Sequence, residues 1–214
     1  SNPLIYKRKY NARDFLNLIA QTQLQSGYPY LMFKDNANKV HALKDIGQIK
    51  ISNLCTEIFQ LQETSIIKDY EEEDIIKRDI SCNLGSLNIT NVMESKKVKD
   101  SIYTAMDALT FVSDYTDIRN APGVRKANRE LHSVGLGAMN LNGYLAKNGI
   151  AYDSEEAKDF ANVFFMMMNY YTLKKSMYIA RARKEKFKDF EKSEYAKGTY
   201  FDKYTEKDYY PQTE

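Results

Sequence analysis

The sequence predicts a helix-rich α/β protein. Residues 98–118 and 155–183 carry apolar side chains at helical spacing, while the shorter runs 30–33, 49–59 and 81–89 have extended character. With 214 residues, 43% hydrophobic and 28% charged, the chain can bury a sizeable core without staples. That length suits one large domain or two small ones, and no boundary, internal repeat or low-complexity tract divides it, so residues 1–214 are read as one unit.

The elements follow in order. Residues 11–25 place Phe15, Leu18, Ile19 and Ala20 on one helical stripe, and Gly27-Tyr28-Pro29 ends it. Tyr30-Leu31-Met32-Phe33 is a short strand-like run, and Asp35-Asn36-Ala37-Asn38-Lys39 has turn chemistry. Residues 49–59 are read as extended. The charged stretch 68–78, with Glu71-Glu72-Glu73-Asp74, is read as a solvated loop or helix face. Residues 81–89 form a second extended segment around Gly85. In 98–118, Ile102, Ala105, Met106, Leu109 and Val112 define a buried stripe, and Asn120-Ala121-Pro122-Gly123 stops the helix. Residues 124–148 are mixed. Asp153-Ser154-Glu155-Glu156 opens a long helix reaching Arg183, whose face is Ala157, Phe160, Ala161, Phe164, Met168 and Tyr171. The tail from Lys184, rich in Lys, Asp and Tyr, is expected to wrap over a larger body.

Composition excludes several classes. Net charge is +2, from 31 basic and 29 acidic residues, which gives no electrostatic case for nucleic acid or an anionic membrane. The longest apolar run, 160–171, is too short to span a bilayer and is broken by Asn162 and Asn169. No signal peptide is visible around Lys7-Arg8-Lys9-Tyr10, and Ser1-Asn2 has the look of a scar left by tag removal. Two cysteines do not make a disulfide framework, which points to the reducing cytoplasm.

Ser52-Asn53-Leu54-Cys55-Thr56-Glu57-Ile58 is the most informative segment. In an extended strand Asn53, Cys55 and Glu57 would share one face. The ordinary alternative is a buried thiol packing as a small hydrophobe. A carboxylate beside it weakens that alternative, because burying the charge is costly. The same carboxylate argues against a thiolate nucleophile, since nearby negative charge disfavours ionisation of a thiol. The histidines, His41 and His132, sit in no catalytic context, so a Cys/His hydrolase is disfavoured. If Cys55 reacts, one-electron thiyl chemistry fits its surroundings better.

Cys82 follows Cys55 by 27 positions, far from any C-x-x-C spacing, and reads either as a buried thiol or as a redox thiol. Two cysteines without a nearby histidine make no ordinary zinc site. Gly135-Leu136-Gly137 lacks the third glycine of a dinucleotide fingerprint, position 140 being Asn, and is better explained by close backbone packing. Met166-Met167-Met168 reads as helix core, and none of the 17 tyrosines is singled out.

The 52–58 segment resembles the radical-cysteine loop of the large (alpha) subunit of ribonucleotide reductase. The resemblance extends to Ser26-Gly27-Tyr28-Pro29-Tyr30-Leu31-Met32-Phe33, to Asp79-Ile80-Ser81-Cys82-Asn83-Leu84-Gly85-Ser86-Leu87-Asn88-Ile89, to Val134-Gly135-Leu136-Gly137-Ala138-Met139-Asn140-Leu141-Asn142-Gly143-Tyr144-Leu145, to Gly149-Ile150-Ala151-Tyr152 and to Tyr200-Phe201-Asp202-Lys203-Tyr204. It is closest to the bacterial class Ib form and covers nearly the whole chain in order.

The resemblance implies a fold and roles. The fold would be part of a ten-stranded α/β barrel, with the radical cysteine on a finger loop threaded through its middle. Cys55 would hold the thiyl radical and take the 3′ hydrogen of a ribonucleoside diphosphate. Glu57 would accept the 3′-hydroxyl proton, and Asn53 would orient the substrate. Cys82 would belong to the cysteine pair that protonates the departing 2′-hydroxyl and ends the turnover as a disulfide. Asn53, Leu54, Cys55, Thr56 and Glu57 would line the ribose site. Implied partners are the small (beta) subunit, whose dimetal-tyrosyl centre supplies the radical, a thioredoxin- or glutaredoxin-like reductant, and a second alpha subunit. No metal or cofactor is expected on this chain, and the allosteric nucleotide sites would lie outside it.

The alpha subunit is several times longer than 214 residues. Its second redox cysteine, diphosphate-gripping loop, relay tyrosines and C-terminal cysteines are not found here. The chain therefore reads as an internal fragment, inactive alone. The rival reading is a non-enzymatic helical interaction module derived from the same family.

Overall fold

Helices Ala12–Ser26 and Glu155–Arg183 begin where a side chain satisfies their first free amides, whereas the 18-residue helix Val98–Tyr115 starts at Lys97 without a side-chain cap. In the computed structural model, which describes residues 8–70 and 72–205, α1 (Ala12–Ser26) starts at Asn11. The Asn11 side-chain oxygen accepts from the amides of Arg13 and Asp14 at 2.9 and 3.3 Å. The helix ends at Gly27 with φ 76°, a left-handed conformation open to glycine. The longest helix, α7 (Glu155–Arg183), is capped by Ser154, whose hydroxyl accepts from the Ala157 amide at 3.1 Å. Ser1, Asn2, Lys7 and Glu71 lie outside the described residues.

Three stretches differ from expectation. Residues 35–39 belong to a helix, α2 (Lys34–Val40), because Asn38 finds helical and tertiary partners instead of turn partners. Its amide donates to the carbonyls of Lys34 and Ile49, both at 2.9 Å, and its oxygen accepts from the Ile49 amide at 2.9 Å. With Ile49 wholly buried, these bonds outweigh local turn preference. The run 30–33 forms no strand, and Phe33 instead precedes α2. Residues 49–59 are not continuously extended, because a turn interrupts them at 54–56. The charged stretch is a loop, closed by a single antiparallel bridge between Ile66 and Ile75.

The core is built on a parallel strand pair. Strand β1 (Leu84–Asn88) pairs with β2 (Gly135–Met139), Leu84 opposite Gly135 and Asn88 opposite Met139. A parallel pair needs a long crossover. Here α3 (Ile89–Ser95), α4 (Val98–Tyr115) and α5 (Pro122–Leu131) provide it. Ile89 and Val92 of α3, Ile102 and Met106 of α4, and Phe164 and Met168 of α7 form one buried cluster. Met168 thus belongs to the core, as the helical spacing requires.

The α4 stripe departs from its predicted course at one point. Val112 is exposed and Ser113 is buried, because Asn128 of α5 meets Ser113 with two hydrogen bonds of 2.8 Å. Pro122 starts α5 at its first turn, where a missing amide hydrogen costs nothing. Gly135 lies against the Leu84 side chain, whose Cδ2 would stand 2.5 Å from a Cβ there, so a larger residue would require the half-exposed Leu84 to turn aside.

After β2 come α6 (Leu141–Lys147) and α7, then a tail containing α8 (Glu194–Lys197). The tail folds back on the chain itself. The Glu194 amide donates to the Ala42 carbonyl at 2.9 Å, and Asn169 of α7 bonds both Tyr200 and Tyr204. Among the described residues β1 and β2 are the named strands, so the structure is helix-rich around one two-stranded parallel sheet and displays neither a closed barrel nor a threaded finger loop.

Candidate active site

Cys55 lies in the turn that breaks the 49–59 segment. The Thr56 amide donates to the Asn53 carbonyl at 3.1 Å, and the Asn53 amide to the Ile58 carbonyl at 3.3 Å. Thr56 takes φ 60°, which reverses the chain. The expected alternation on a strand face is therefore replaced by a turn, in which Asn53 and Glu57 converge while Leu54 and Cys55 are exposed. Ser52 steadies the turn from inside, its hydroxyl 3.2 Å from Thr56 Oγ1.

Asn53 organises the site. Its side-chain oxygen accepts from the amides of Glu57 and Ile58 at 3.2 and 3.0 Å. Its side-chain nitrogen donates to Glu57 Oε1 at 2.6 Å and to Cys82 Sγ at 3.4 Å. Two donor hydrogens and two acceptor lone pairs are all used, which fixes the amide's orientation. Three of the four predicted catalytic residues, Asn53, Glu57 and Cys82, thus meet at one side-chain amide, and Cys55 stands between two of them in the chain.

Cys82 enters β1 from a buried anchor. Ser81 is 4% exposed, and its hydroxyl lies 3.4 Å from Asn128 Oδ1. On the other side, the Asn83 side-chain nitrogen donates to the Leu109 carbonyl of α4 at 2.9 Å. Cys55 and Cys82 are both exposed free thiols, with no disulfide between them.

Sequence reasoning missed Tyr30. Its ring lies 5.0 Å from that of Tyr28, centroid to centroid. The phenol is pushed above its ordinary pKa, first by Tyr28, with lesser contributions from burial, Cys55 and Glu57. The 26–33 block was part of the resemblance, but nothing in it distinguished one tyrosine. His132 faces Glu185 at 3.3 Å, and burial holds His41 below its ordinary pKa. Neither histidine is a hydrogen-bond partner of the four candidate residues in the described structure. The described residues contain no group of three or more His, Cys, Asp or Glu that could hold a metal, and no helix long and apolar enough to cross a membrane.

A turn that carries thiol, amide and carboxylate thus stands beside a parallel βα framework. The chain belongs to the ribonucleotide reductase barrel-domain family, whose described match, "Ribonucleotide reductase, barrel domain", spans residues 1–214. It is 55% identical to the ribonucleoside-diphosphate reductase subunit alpha of Bacillus subtilis, over 100% of this chain and 30% of that protein. It is 44% identical to the subunit alpha of Mycoplasma genitalium, over 95% of this chain and 28% of that protein. Among solved structures it resembles the Actinobacillus ureae class Id ribonucleotide reductase alpha subunit, with TM-score 0.62 and 28% identity over 79% of this chain and 32% of that one. The chain thus spans about 30% of the length of these two relatives.

Proposed function

We propose that this chain is the part of a class Ib ribonucleoside-diphosphate reductase that carries out hydrogen-atom and proton removal at the ribose. The observation that carries the reading is the Asn53 amide, bonded at once to Glu57 and Cys82 across the Cys55 turn.

The division of labour follows from the chemistry of each group. A thiyl radical on Cys55 takes the 3′ hydrogen, forming the S–H bond and leaving a carbon radical at C3′. Glu57 accepts the proton of the 3′-hydroxyl, which is general-base work for a carboxylate within hydrogen-bond reach. The 2′-hydroxyl leaves as water after protonation by a thiol, with Cys82 as one member of the pair. That pair supplies two electrons and becomes a disulfide. The other thiol of the pair supplies the hydrogen that takes the hydroxyl's place at C2′, Glu57 returns its proton to the 3′ oxygen, and Cys55 returns its hydrogen to C3′, recovering the radical. Asn53 holds Glu57 and Cys82 on one side of the ribose. Leu54 and Thr56 complete the turn that lines it.

The radical itself comes from the dimetal-tyrosyl centre of a small (beta) subunit, and no cofactor is assigned to this chain. A thioredoxin- or glutaredoxin-like protein restores the thiols. In the parent enzyme the alpha subunits pair as a homodimer in the cytoplasm, with effector nucleotides bound outside residues 1–214. These residues form one internal part of the catalytic barrel, with the turn at 53–57 as the finger loop, and are inactive alone.

A substrate deuterated at C3′ tests the reading. In the full-length alpha subunit with its beta subunit, nucleotide reduction shows a primary isotope effect at C3′. An absence of the effect in kcat/KM, read by direct competition of labelled and unlabelled substrate, counts against hydrogen removal at C3′ by Cys55.

A further inference from the structure

We propose that Gln60 is a positioning residue for Cys82, setting the thiol against the Asn53–Glu57 turn. The inference rests on the reductase reading above and extends it to a residue outside the reacting groups.

Ser81 is 4% exposed and belongs to no strand, so its peptide groups need partners that a sheet does not provide. Gln60 supplies both. Its side-chain nitrogen donates to the Ser81 carbonyl at 2.9 Å, and its side-chain oxygen accepts from the Ser81 amide at 3.1 Å. A glutamine amide has the donor and acceptor of one peptide unit, so it acts as a single-residue ladder partner. Gln60 lies three residues after Glu57, so the clasp joins the Cys55 turn directly to the residue before Cys82.

Ser81 is held from its other side as well. Its hydroxyl lies 3.4 Å from Asn128 Oδ1, and Asn128 is bonded to Ser113 of α4. Cys82 itself is exposed, and the Asn53 side-chain amide donates to its sulfur at 3.4 Å. The backbone clasp by Gln60 is therefore what keeps the thiol in reach of the turn. Losing it leaves the fold anchored by Asn128 but lets Cys82 drift from the ribose.

The test uses the full-length alpha subunit assayed with its beta subunit and a dithiol reductant. Gln60→Leu keeps the side chain's bulk and removes both hydrogen bonds. Its kcat falls about tenfold while KM for the nucleoside diphosphate stays within about twofold, because a displaced reacting group costs rate, not ground-state binding. Hydrogen exchange across residues 79–83 quickens in the same variant, and exchange elsewhere is unchanged. Gln60→Glu keeps the acceptor for the Ser81 amide and loses the donor, so its kcat falls less, about threefold, at unchanged KM. If Gln60→Leu does not fold, Gln60→Glu decides. An unchanged kcat in the folded variants overturns the proposal. So does a loss of kcat and KM together with faster exchange throughout the barrel, which marks a merely structural role. Cys55→Ser is assayed alongside: turnover retained there refutes the reductase reading separately, while the local exchange result still reports on the clasp.

Discussion

The side-chain amide of Asn53 donates to the Cys82 sulfur at 3.4 Å, joining a turn and a strand entry that are 29 residues apart. The same amide nitrogen holds Glu57 Oε1 at 2.6 Å. Asn53→Ala removes four hydrogen bonds at once. We expect faster amide exchange at Glu57 and Ile58, whose protons lose their acceptor, and a reduction rate in the full-length subunit lower by about 10²-fold, since misplaced groups can cost that much. Unchanged exchange at both amides contradicts the role given to Asn53.

Glu57→Gln preserves shape but abolishes the proton acceptor. Loss of a general base costs roughly 10²–10⁴-fold in rate. The expected result is that loss in kcat with nucleotide affinity, measured by equilibrium binding, largely retained. A variant with near-normal kcat removes Glu57 from the mechanism.

Asn128→Ala tests the buried support beneath Cys82. Asn128 is 6% exposed and bonds the Ser113 hydroxyl and carbonyl, both at 2.8 Å. Stranding buried polar partners costs about 1–3 kcal/mol. For a chain of this size that lowers the melting temperature by roughly 2–10 °C. A melting temperature equal to the parent's refutes this accounting.

The stability of the chain should fall on mild acidification because of His41. Burial, the largest cause, holds its pKa below the usual 6.5, Lys44 adds to this and Glu194 opposes it. A depressed folded pKa means the unfolded chain binds more protons, so stability is full above about pH 6.5 and declines as pH falls through the folded value. Asp45, beside Lys197, and Asp117, beside Arg119, Arg125 and Arg129, also have lowered pKa values. Their stabilisation is lost in a separate window, below the ordinary carboxylate value of 3.8. His41→Gln should flatten the melting profile between pH 7 and 5, and an unaltered slope excludes His41 as its source.

Helix α1 has no buried residue, and its Phe15, Leu16 and Leu18 are at least half exposed. The chain covers 30% of the Bacillus subtilis protein, so about 70% of that protein's length lies outside the matched region. Such apolar surface favours association. Sedimentation of residues 1–214 alone should show self-association, weakened by Phe15→Glu with Leu18→Lys. A monodisperse, highly stable monomer contradicts this.

The long helices were legible because their signals are local. Asn11, Gly27 and Ser154 cap their own helices, and the 3.6-residue period of Ile102, Met106 and Leu109 reports a buried face directly. Strand β1 was legible from its apolar run. What escaped depends on distant partners. Asn38 turns an apparent loop into α2 by reaching Ile49, and Asn128 draws Ser113 inward at the expense of Val112. At the site, residue types were readable but their arrangement was not. Alternation placed Asn53 and Glu57 together for the wrong reason, a strand face instead of a turn, and Gln60 carried no signal until Ser81 stood beside it.

The most direct test of the radical reading is Cys55→Ser in the full-length alpha subunit, assayed with its beta subunit and reductant. The hydroxyl keeps the turn and cannot carry a thiyl radical, so nucleotide reduction should be abolished while nucleoside diphosphate binding survives. Retained turnover in that variant contradicts the account.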